Sequence, residues 1–390
     1  MVRAVAKGGA AMSGASDVQL PRHMRVAIVG AGPAGLGMAR VLSDLAIPDV
    51  WVLERGEIGQ SFLDWPEETR LLTPSFAGNV FGVTDLNAIS FDSSPGWSLK
   101  REHPDGKDYA LYLKHAARAF DLNVKCGVDV HAITPEGDRF ALETSEGEFA
   151  ADFVIWACGQ FGAPVHEGLP GADLGQHYGR VQSWRGFPED EVYVIGGYES
   201  GIDAAIGLAL AGKQPIVLDR GAPWLDGDKD PSRALSPYTL QRLAEVRQER
   251  EITLLPDADV IALEEEGDGI RILAGDGRSW LSAGAPVLAT GFGSGTGPVS
   301  GWFEYDNFGL PMLTGEDESV AQPGLFLVGP EVSHNGHLFC FIYKFRQRFA
   351  VVARAIAERM GVDTAPLEEY YANNMFLDDL TCCDDDKCLC

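Results

Sequence analysis

Two stretches of the chain share one order of positions: a short apolar run, a glycine-rich turn and a segment with helical spacing of apolar residues. In the first stretch, Val26–Val29 is too short for a helix, and apolar residues recur at helical spacing through Ala34–Leu45. Pro48 ends the helical pattern, and Val50–Leu53 is the next apolar run. The same order repeats within residues 192–219. We therefore predict two βαβ units whose strands are buried in parallel sheets.

The segments around these units predict further elements. Residues 56–108 are rich in proline and tryptophan and predict loops, whereas Tyr109–Phe120 predicts a helix. A long helix is predicted from about residue 336 to 360. The remaining predictions are short antiparallel strands at Leu122–Val124, Val128–Ile133, Phe140–Thr144 and Glu148–Phe153, and apolar strands at Val154–Gly159, Val287–Gly293 and Gly324–Gly329.

Each βαβ unit has a glycine motif at its strand-to-helix turn and an acid about 20 residues further on. The acid is Glu54 in the first unit and Asp219 in the second. In such motifs the first glycine permits a tight turn, the second lets backbone approach a pyrophosphate, and the third lets helix and strand pack closely. Tyr198 stands at the second glycine position of the second motif, so we expect the pyrophosphate to be held less closely there. The chain is predicted to bind two dinucleotides.

One dinucleotide domain interrupts another in this chain, and the arrangement resembles the two-dinucleotide-binding-domain flavoproteins. These include thioredoxin reductase-like enzymes, flavin-containing monooxygenases and the bacillithiol-disulfide-reductase-like group. The resemblance covers roughly residues 24–360 and implies an α/β fold of two Rossmann-like (three-layer ββα/βαβ) domains. The segments implied are a disordered leader at 1–23, an FAD-binding domain in two parts at 24–165 and 287–375, an inserted NAD(P)-binding domain at 166–286, and a Cys/Asp-rich tail at 376–390.

The resemblance implies FAD on the first motif, NADH or NADPH on the second, and hydride passing between them. Asp219 favours NADH because a carboxylate there binds a free 2′-hydroxyl, while Arg220 and Arg233 leave NADPH open. Pro330 replaces the acid of a late Gly-Asp motif, and the helix after it is expected to point its N-terminus at the flavin. The cofactor-binding residues implied are Gly30, Gly32, Pro33, Ala34, Gly35, Glu54, Arg55, Ser61, Trp65, Thr73, Gly159, Gly196, Gly197, Tyr198, Glu199, Ser200, Asp219, Arg220, Thr290, Gly291, Gly329 and Pro330.

The C-terminal tail is the main indication of a substrate, because four of the seven cysteines lie in its last nine residues. Small thioredoxin reductases carry Cys-x-x-Cys inside the nicotinamide domain, and this chain has no such motif. We therefore predict that a tail thiolate relays electrons to a disulfide or thiol substrate, either a small molecule or a protein. Three neighbouring aspartates are expected to raise the thiol pKa values. A metal site for soft cations and an inert tail are alternatives. The predicted catalytic residues are Cys382, Cys383, Cys388 and Cys390.

Other residues carry alternative functions. The segment Leu174–Trp184 partly matches the monooxygenase fingerprint, but Gln182 replaces its histidine, so a flavin monooxygenase is the second hypothesis. A non-catalytic nucleotide- or metal-binding protein is the third. Cys158 is predicted to be a small buried residue. Two further groups of residues carry predictions. His334, His337 and Cys340 would share one face of the predicted C-terminal helix, where they could bind metal or protonate a substrate. Lys344, Arg346 and Arg348 form a basic cluster that could steer an acidic partner.

Length, charge and hydrophobicity limit the domain number, the partners and the cellular location that we predict. A chain of 390 residues exceeds one ordinary core, which agrees with two domains. Its formal net charge of −26 disfavours nucleic acid and anionic membrane surfaces as partners. No apolar stretch approaches the roughly 20 residues of a membrane span, and residues 1–23 lack a signal-peptide pattern. We predict a cytoplasmic protein without a resident metal, for which a homodimer is one possible assembly.

Overall fold

The structure is a computed structural model that describes residues 19–77, 83–165, 168–226 and 234–381. The four tail cysteines and Arg233 lie outside these ranges. Folded structure begins before the predicted start at Met24, because Leu20 is buried and His23 already belongs to the first strand. Within the described ranges, no helix is both long and apolar enough to cross a membrane.

Helices and strands alternate within the two predicted βαβ units, whereas elsewhere several strands follow one another directly. The α-helices are α1 (Pro33–Asp44), α2 (Gln60–Leu63), α3 (Pro95–Leu99), α4 (Gly106–Ala119), α5 (Glu199–Leu210), α6 (Pro237–Val246), α7 (Ile342–Phe345), α8 (Phe349–Met360) and α9 (Glu368–Ala372). Short 3₁₀ turns lie at Ala172–Leu174, Tyr178–Arg180, Trp184–Gly186, Pro223–Leu225, Gly297–Trp302, Arg346–Arg348 and Ala365–Leu367. The strands are β1 (His23–Val29), β2 (Val50–Glu54), β3 (Val124–Cys126), β4 (Val130–Glu136), β5 (Arg139–Thr144), β6 (Gly147–Trp156), β7 (Gln176–His177), β8 (Glu191–Ile195), β9 (Gln214–Leu218), β10 (Thr253–Leu255), β11 (Val260–Glu266), β12 (Gly269–Ala274), β13 (Ser279–Ser282), β14 (Val287–Leu288), β15 (Leu325–Leu327), β16 (Ser333–His334) and β17 (His337–Leu338).

The first domain is built on a sheet of order β3-β2-β1-β6-β5-β4, with β15 also pairing β6. Strand β6 changes neighbours along its length: β5 pairs antiparallel with its first half, and β15 pairs parallel with residues 154–156. This explains why the sequence predicts two strands where one exists. Strand β3 pairs parallel with β2, so the predicted antiparallel strand at 122–124 is wrong in direction and begins two residues too early.

The second domain has a parallel sheet of order β10-β9-β8-β14-β7 and a separate antiparallel sheet of β11, β12 and β13. Helix α5 packs on this sheet, and its buried face includes Ile202, Ile206 and Leu208. Strand β14 pairs with Val194 and Ile195 of β8. The predicted boundary at residue 287 is therefore misplaced, because that residue completes the sheet of the second domain.

The chain passes between the domains twice, and the two crossing segments pair with each other. The amide of Gly293 donates to the carbonyl of Ala163 at 2.7 Å, and the amide of Val165 donates to the carbonyl of Gly291 at 3.1 Å. The Thr290 hydroxyl donates to the carbonyl of Val165 at 2.7 Å. These segments form a short two-stranded connection between the domains.

The C-terminal part of the first domain departs from the single helix predicted at 336–360. His334 and His337 lie on the two strands of the hairpin β16–β17, and the helical region starts only at Ile342. The two histidines and Cys340 therefore do not share a helical face. The predicted basic cluster is also wrong as a surface feature, because Arg346 is 5% exposed and Arg348 is 1% exposed.

Arg348 is the centre of a buried charge cluster that joins the last strands to α8. Its Nε lies 3.0 Å from Asp317 Oδ2, and its Nη2 lies 2.9 Å from Asp317 Oδ1. His334 Nε2 is 2.6 Å from the same Oδ1. Because Asp317 is fully buried, its charge is neutralised by protein groups rather than by water.

We expect Asp317→Asn to lower the free energy of unfolding by about 3–5 kcal/mol, since it leaves the buried Arg348 guanidinium without a counter-charge. Asparagine tolerates the left-handed backbone at this position, where φ is 61°. Urea denaturation followed by circular dichroism measures the change. The control is Asp378→Asn, which breaks an Arg354 ion pair with side chains 31% and 39% exposed. A surface pair of that kind is worth about 0–1 kcal/mol, and equal losses in both variants would contradict the expectation.

Candidate functional site

A cavity of about 570 Å³ opens where the strands of the first parallel sheet end. Its wall includes Gly30 after β1, Glu54 at the end of β2 and Trp156 at the end of β6. On the opposite side the cavity reaches Ser200 and Asp203 of α5 in the second domain. Ligands of open α/β sheets bind at the carboxyl ends of parallel strands, so the location is typical of a nucleotide site.

The first glycine turn has the geometry that its motif predicts. Gly30 adopts φ +107°, and a Cβ there would lie 2.6 Å from the carbonyl oxygen of Ala157. A Cβ on Gly35 would lie 1.9 Å from the carbonyl oxygen of Gly30, so only glycine lets α1 pack this close to β1. A Cβ on Gly32 would meet nothing within 4 Å. Because Gly32 lines the cavity, this opening is available to a ligand.

The start of α1 and the Glu54 carboxylate complete a dinucleotide cradle. Glu54 is 8% exposed, its Oε2 accepts the Ala31 amide at 2.8 Å, and its Oε1 accepts the Gly56 amide at 2.8 Å. Each oxygen retains a lone pair for a ribose hydroxyl. Helix α1 begins at Pro33 without a side-chain cap and without an acid in its first turn. Its N-terminus is therefore suited to a pyrophosphate.

Most of the residues predicted for the first cofactor lie together on this cavity. Those on its wall are Gly30, Gly32, Pro33, Ala34, Glu54, Arg55, Ser61, Trp65, Thr73, Gly159 and Pro330, together with Glu199 and Ser200 of the second motif. The predicted residues that do not line it are Gly35, Gly196, Gly197, Tyr198, Asp219, Arg220, Thr290, Gly291 and Gly329. Gly35 acts in packing, and Thr290 and Gly291 belong to the crossing segments.

Asn87 is a wall residue that the sequence does not indicate. Its Nδ2 donates to the carbonyl of Thr73 at 2.7 Å and contacts Ser75 Oγ at 2.8 Å. The carbonyl fixes the amide orientation because it can only accept, and Asn87 Oδ1 is then buried without a hydrogen-bond partner. A buried acceptor of this kind calls for a donor from a ligand, such as the imide N–H of an isoalloxazine ring. Residue 87 lies in the segment predicted only as loop.

Aromatic side chains from both domains form the part of the wall between the domains. The Phe161 and Phe292 rings are stacked with centroids 5.1 Å apart, and Trp65 lies 6.5 Å from Phe161. Tyr178 lines the same region, and burial raises its pKa well above the usual range of a phenol. Apart from Trp65, no sequence signal indicated these rings, because they come from three segments distant in the chain.

The second glycine turn repeats the geometry of the first. Gly196 adopts φ +100°, and a Cβ on Gly201 would lie 1.8 Å from the carbonyl oxygen of Gly196. Asp219 Oδ2 accepts the Gly197 amide at 2.7 Å, as Glu54 accepts the Ala31 amide. The unit is therefore a true structural repeat, although its motif is incomplete in sequence.

The second glycine turn differs from the first because aromatic side chains lie against it. Tyr198 precedes α5 and donates its hydroxyl hydrogen to the carbonyl of Ala234 at 2.9 Å. The Trp224 ring lies so near that a Cβ on Gly197 would meet it at 2.4 Å. Asp219 Oδ1 already accepts two backbone amides, while the neighbouring Arg220 is exposed. The choice between NADH and NADPH remains a prediction from Asp219 and Arg220.

Family comparison agrees with the two cradles. The model of the family described as pyridine nucleotide-disulphide oxidoreductase matches residues 27–329. The chain belongs to the pyridine nucleotide-disulphide oxidoreductase family. The fold of two Rossmann-like domains and the prediction of a flavin-dependent oxidoreductase are thereby confirmed, as is the expectation of FAD with NADH or NADPH as electron donor.

Individual proteins resemble the chain at modest identity. It is 26% identical over 205 residues to the bacilliredoxin reductase Bdr of Bacillus subtilis, a match covering 51% of this chain and 60% of that protein. It is 24% identical over 330 residues to a ferredoxin–NADP reductase of Lacticaseibacillus paracasei, covering 80% and 87%. Among solved structures, the bacillithiol disulfide reductase Bdr (YpdA) of Staphylococcus aureus superposes with a TM-score of 0.72 at 21% identity, covering 87% and 99%. The structural likeness shows a shared fold.

The described cysteines of this oxidoreductase differ in their surroundings. Cys158 lines the cavity, but burial raises the pKa of its thiol to about 12, and its Sγ lies 3.6 Å from the carbonyl oxygen of Val29. Cys158 is half-buried, whereas the sequence predicts a buried residue. Cys340 lies on the same wall, next to Phe341. Cys126 is exposed at the end of β3.

Glu331, next to Pro330, takes part in the connection between the domains. Its Oε2 accepts the Gly295 amide at 2.9 Å, and the side chain is 3% exposed. Burial raises the pKa of this carboxyl group above its ordinary range. The carboxylate therefore holds the second crossing segment.

We expect Gly32→Ala to weaken flavin binding by roughly tenfold or more, since the added methyl group lies where the backbone meets a pyrophosphate. Folding should be unaffected, because a Cβ there meets nothing within 4 Å. Flavin titration of the apoprotein gives the dissociation constant, and thermal unfolding of the apoprotein tests folding. Gly186→Ala is the matched control, because a Cβ there is equally free and the residue does not line the cavity. Unchanged flavin affinity of Gly32→Ala would count against the cradle.

Cys158 is expected to resist alkylation by iodoacetamide at pH 8. A pKa of about 12 keeps its thiol protonated until the pH rises far above 8, and only about one thiol in 10⁴ is then ionised. Mass spectrometry of the folded protein measures the labelling. The same protein unfolded in urea supplies the control, in which Cys158 should be labelled readily. Rapid labelling of the folded form would contradict the buried environment.

Proposed function

We propose that this protein is an FAD-dependent NAD(P)H oxidoreductase that reduces a disulfide, small or protein-borne, through its C-terminal cysteines. Bound FAD would supply two-electron transfer between the nicotinamide and a thiol–disulfide pair. The overall reaction consumes one NAD(P)H, one proton and one disulfide, and it yields NAD(P)⁺ and two thiols. The same parts running in reverse, with oxygen as final acceptor, make a thiol oxidase.

Residues of the first domain would bind and orient the flavin nucleotide. The N-terminus of α1 faces the position of a pyrophosphate, and Glu54 offers acceptors to a ribose. Asn87 Oδ1 offers a buried acceptor. The aromatic pair Phe161 and Phe292 would exclude water from the region between the domains.

The observation that carries the proposal is the position of the segment that leads into the tail. The Leu377 amide donates to the carbonyl of Gln347 at 2.9 Å, and the Arg348 guanidinium donates to the carbonyl of Leu377. Met375 is fully buried just before. Residues 375–377 are thus anchored on the first domain, beside the helical region that follows Phe341.

The anchor lies close enough for the tail thiols to act at the cavity. Gln347 follows Phe341 of the cavity wall by six residues of largely helical chain, a rise of about 9 Å. The nine residues from Cys382 to Cys390 can extend to about 30 Å. A tail of this length would let its thiols reach the wall at Cys340 and Phe341. Cys158 is too weakly acidic for a relay.

Names of relatives support a disulfide as acceptor without deciding it. The bacillithiol disulfide reductase is named for a disulfide substrate. The bacilliredoxin reductase and the ferredoxin–NADP reductase are named for bacilliredoxin and ferredoxin. The second candidate is a monooxygenase-like reaction, suggested by 17% identity and a TM-score of 0.67 to a flavin-containing monooxygenase of Stenotrophomonas maltophilia. Requirement for oxygen separates the two.

Replacing all four tail cysteines by serine is expected to lower anaerobic reduction of bacillithiol disulfide and of dithiobis(nitrobenzoate) by roughly tenfold or more. Reduction of the bound flavin by NADH or NADPH should not change, because the tail acts after that step. Stopped-flow absorbance measures the flavin step, and steady-state NAD(P)H oxidation measures turnover. Cys126→Ser is the control for loss of an exposed thiol elsewhere.

Three results would contradict the proposal. Full anaerobic turnover in the tail variant would exclude the relay. NAD(P)H consumption that requires oxygen and does not depend on the tail would favour the monooxygenase-like reaction. Absence of bound flavin in the purified protein would exclude both reactions.

A further inference from the structure

The two domains meet through a buried polar network centred on Asp203. Thr69, from the loop after α2 in the first domain, donates to Asp203 Oδ2 at 2.8 Å. Tyr178 of the second domain donates to the same oxygen at 2.9 Å, and Arg242 Nη1 donates to Asp203 Oδ1 at 2.7 Å. One carboxylate thus joins a loop of the first domain to α5, α6 and a 3₁₀ turn of the second.

Burial makes this network sensitive to any change in domain orientation. Thr69, Tyr178 and Asp203 are 7%, 6% and 5% exposed. Hydrogen bonds weaken steeply once donor and acceptor separate by a few tenths of an ångström beyond about 3 Å. A rotation of either domain would withdraw Thr69 from Asp203 and leave buried polar groups without partners, which is costly.

A second row of contacts lies beside the network. The Glu67 amide donates to the carbonyl of Gln182 at 2.9 Å. The Glu68 carboxylate accepts the Ser183 hydroxyl at 2.7 Å and the Trp184 amide at 3.2 Å. Two consecutive residues of the first domain therefore hydrogen-bond three consecutive residues of the second.

An aromatic stack extends the same interface. The rings of His103 in the first domain and Tyr238 in the second lie 3.6 Å apart with an interplanar angle of 2°. The guanidinium of Arg242, which belongs to the network, lies over the Tyr238 ring, 5.4 Å from its centroid. The polar network and the stack are thus one continuous surface.

The crossing segments are held as well, independently of this surface. Trp156 Nε1 donates to the carbonyl of Gly295 at 2.7 Å, and Glu331 Oε2 accepts the Gly295 amide at 2.9 Å. A Cβ on Gly295 would lie 1.7 Å from the carbonyl oxygen of Gly159. Both polar groups of Gly295 are therefore bound by the first domain at the point where a hinge would have to turn.

We propose that these contacts keep the two domains in one orientation during turnover, with Thr69, Tyr178 and Asp203 as positioning residues. The inference rests on the proposed function, because it concerns the two-electron step that oxidises NAD(P)H and reduces FAD. Thr69, Tyr178 and Asp203 line the same cavity as Gly32 and Ser200. The first glycine turn and the start of α5 open onto one space, which supports transfer between the cofactors without domain rotation.

A covalent crosslink across the interface tests this directly. Glu67 and Gln182 are exposed and their backbones are hydrogen-bonded at 2.9 Å, so the pair Glu67→Cys and Gln182→Cys suits a short bismaleimide. This cysteine pair is introduced into the full-length chain, in which Cys126 and the four tail cysteines are replaced by serine. The thioether link cannot be reduced by the enzyme, and mass spectrometry shows that it has formed.

Flavin reduction by NADH or NADPH is then followed anaerobically by stopped flow. We expect the crosslinked protein to reduce its flavin within about twofold of the uncrosslinked protein, since transfer requires no change of orientation. A loss of roughly tenfold or more on crosslinking, absent from either single-cysteine variant treated alike, would overturn the inference. Failure of the wild-type flavin to be reduced by either nucleotide would instead refute the proposed function.

A second variant tests the positioning role without a crosslink. Tyr178→Phe removes one hydroxyl from the network and is expected to lower the limiting rate of flavin reduction by roughly tenfold, with little change in the concentration of NAD(P)H giving half that rate. Tyr193→Phe is the matched control, a buried tyrosine of β8 that hydrogen-bonds Glu191. A rate that is unchanged or higher in Tyr178→Phe would show that the network does not position the domains for transfer.

Discussion

The close packing of a helix against the strand before it is the constraint on which the rest of this structure depends. In both βαβ units, a methyl group on the third glycine of the motif would fall within 2 Å of the carbonyl oxygen of the first, at 1.9 Å for Gly35 and 1.8 Å for Gly201. Glycine at these two positions brings each helix close to its strand. The same turn directs the start of each helix towards the carboxyl edge of its sheet, where α1 and α5 reach one cavity.

Buried polar contacts convert these two similar units into one site. Asp203 is bonded by groups from both domains, and Gly295 is held from two sides where the chain crosses back. Each hydrogen bond contributes little net free energy to stability. Leaving one buried partner without a hydrogen bond costs more free energy than forming the bond gains. The interface therefore favours a defined orientation over a range of orientations. Because the orientation is defined, the aromatic and polar side chains between the domains form a single wall.

Where sequence and structure differ, the cause is tertiary. Arg346 and Arg348 form an apparent basic cluster, yet they are buried because carbonyl groups of residues 84–88 and the carboxylate of Asp317 surround them. His334 was expected on a helix, but it lies on a hairpin where it meets Asp317 from another part of the chain. Asn87 carries no local pattern, and only the fold brings it to the cavity beside Tyr178 of the second domain. The charge and type of a residue are evident from the sequence, whereas its burial depends on which distant segments of the chain pack against it.

Local sequence was sufficient to predict the two glycine turns and their acids Glu54 and Asp219, because these features depend on residues within one βαβ unit. The same locality predicted the parallel strands from short apolar runs. Tertiary structure alone decided that β14 completes the second sheet, that Tyr198 and Trp224 cover the second turn, and that Thr69 binds Asp203. Those contacts join residues tens to more than a hundred positions apart, and no spacing rule along the chain encodes such distances.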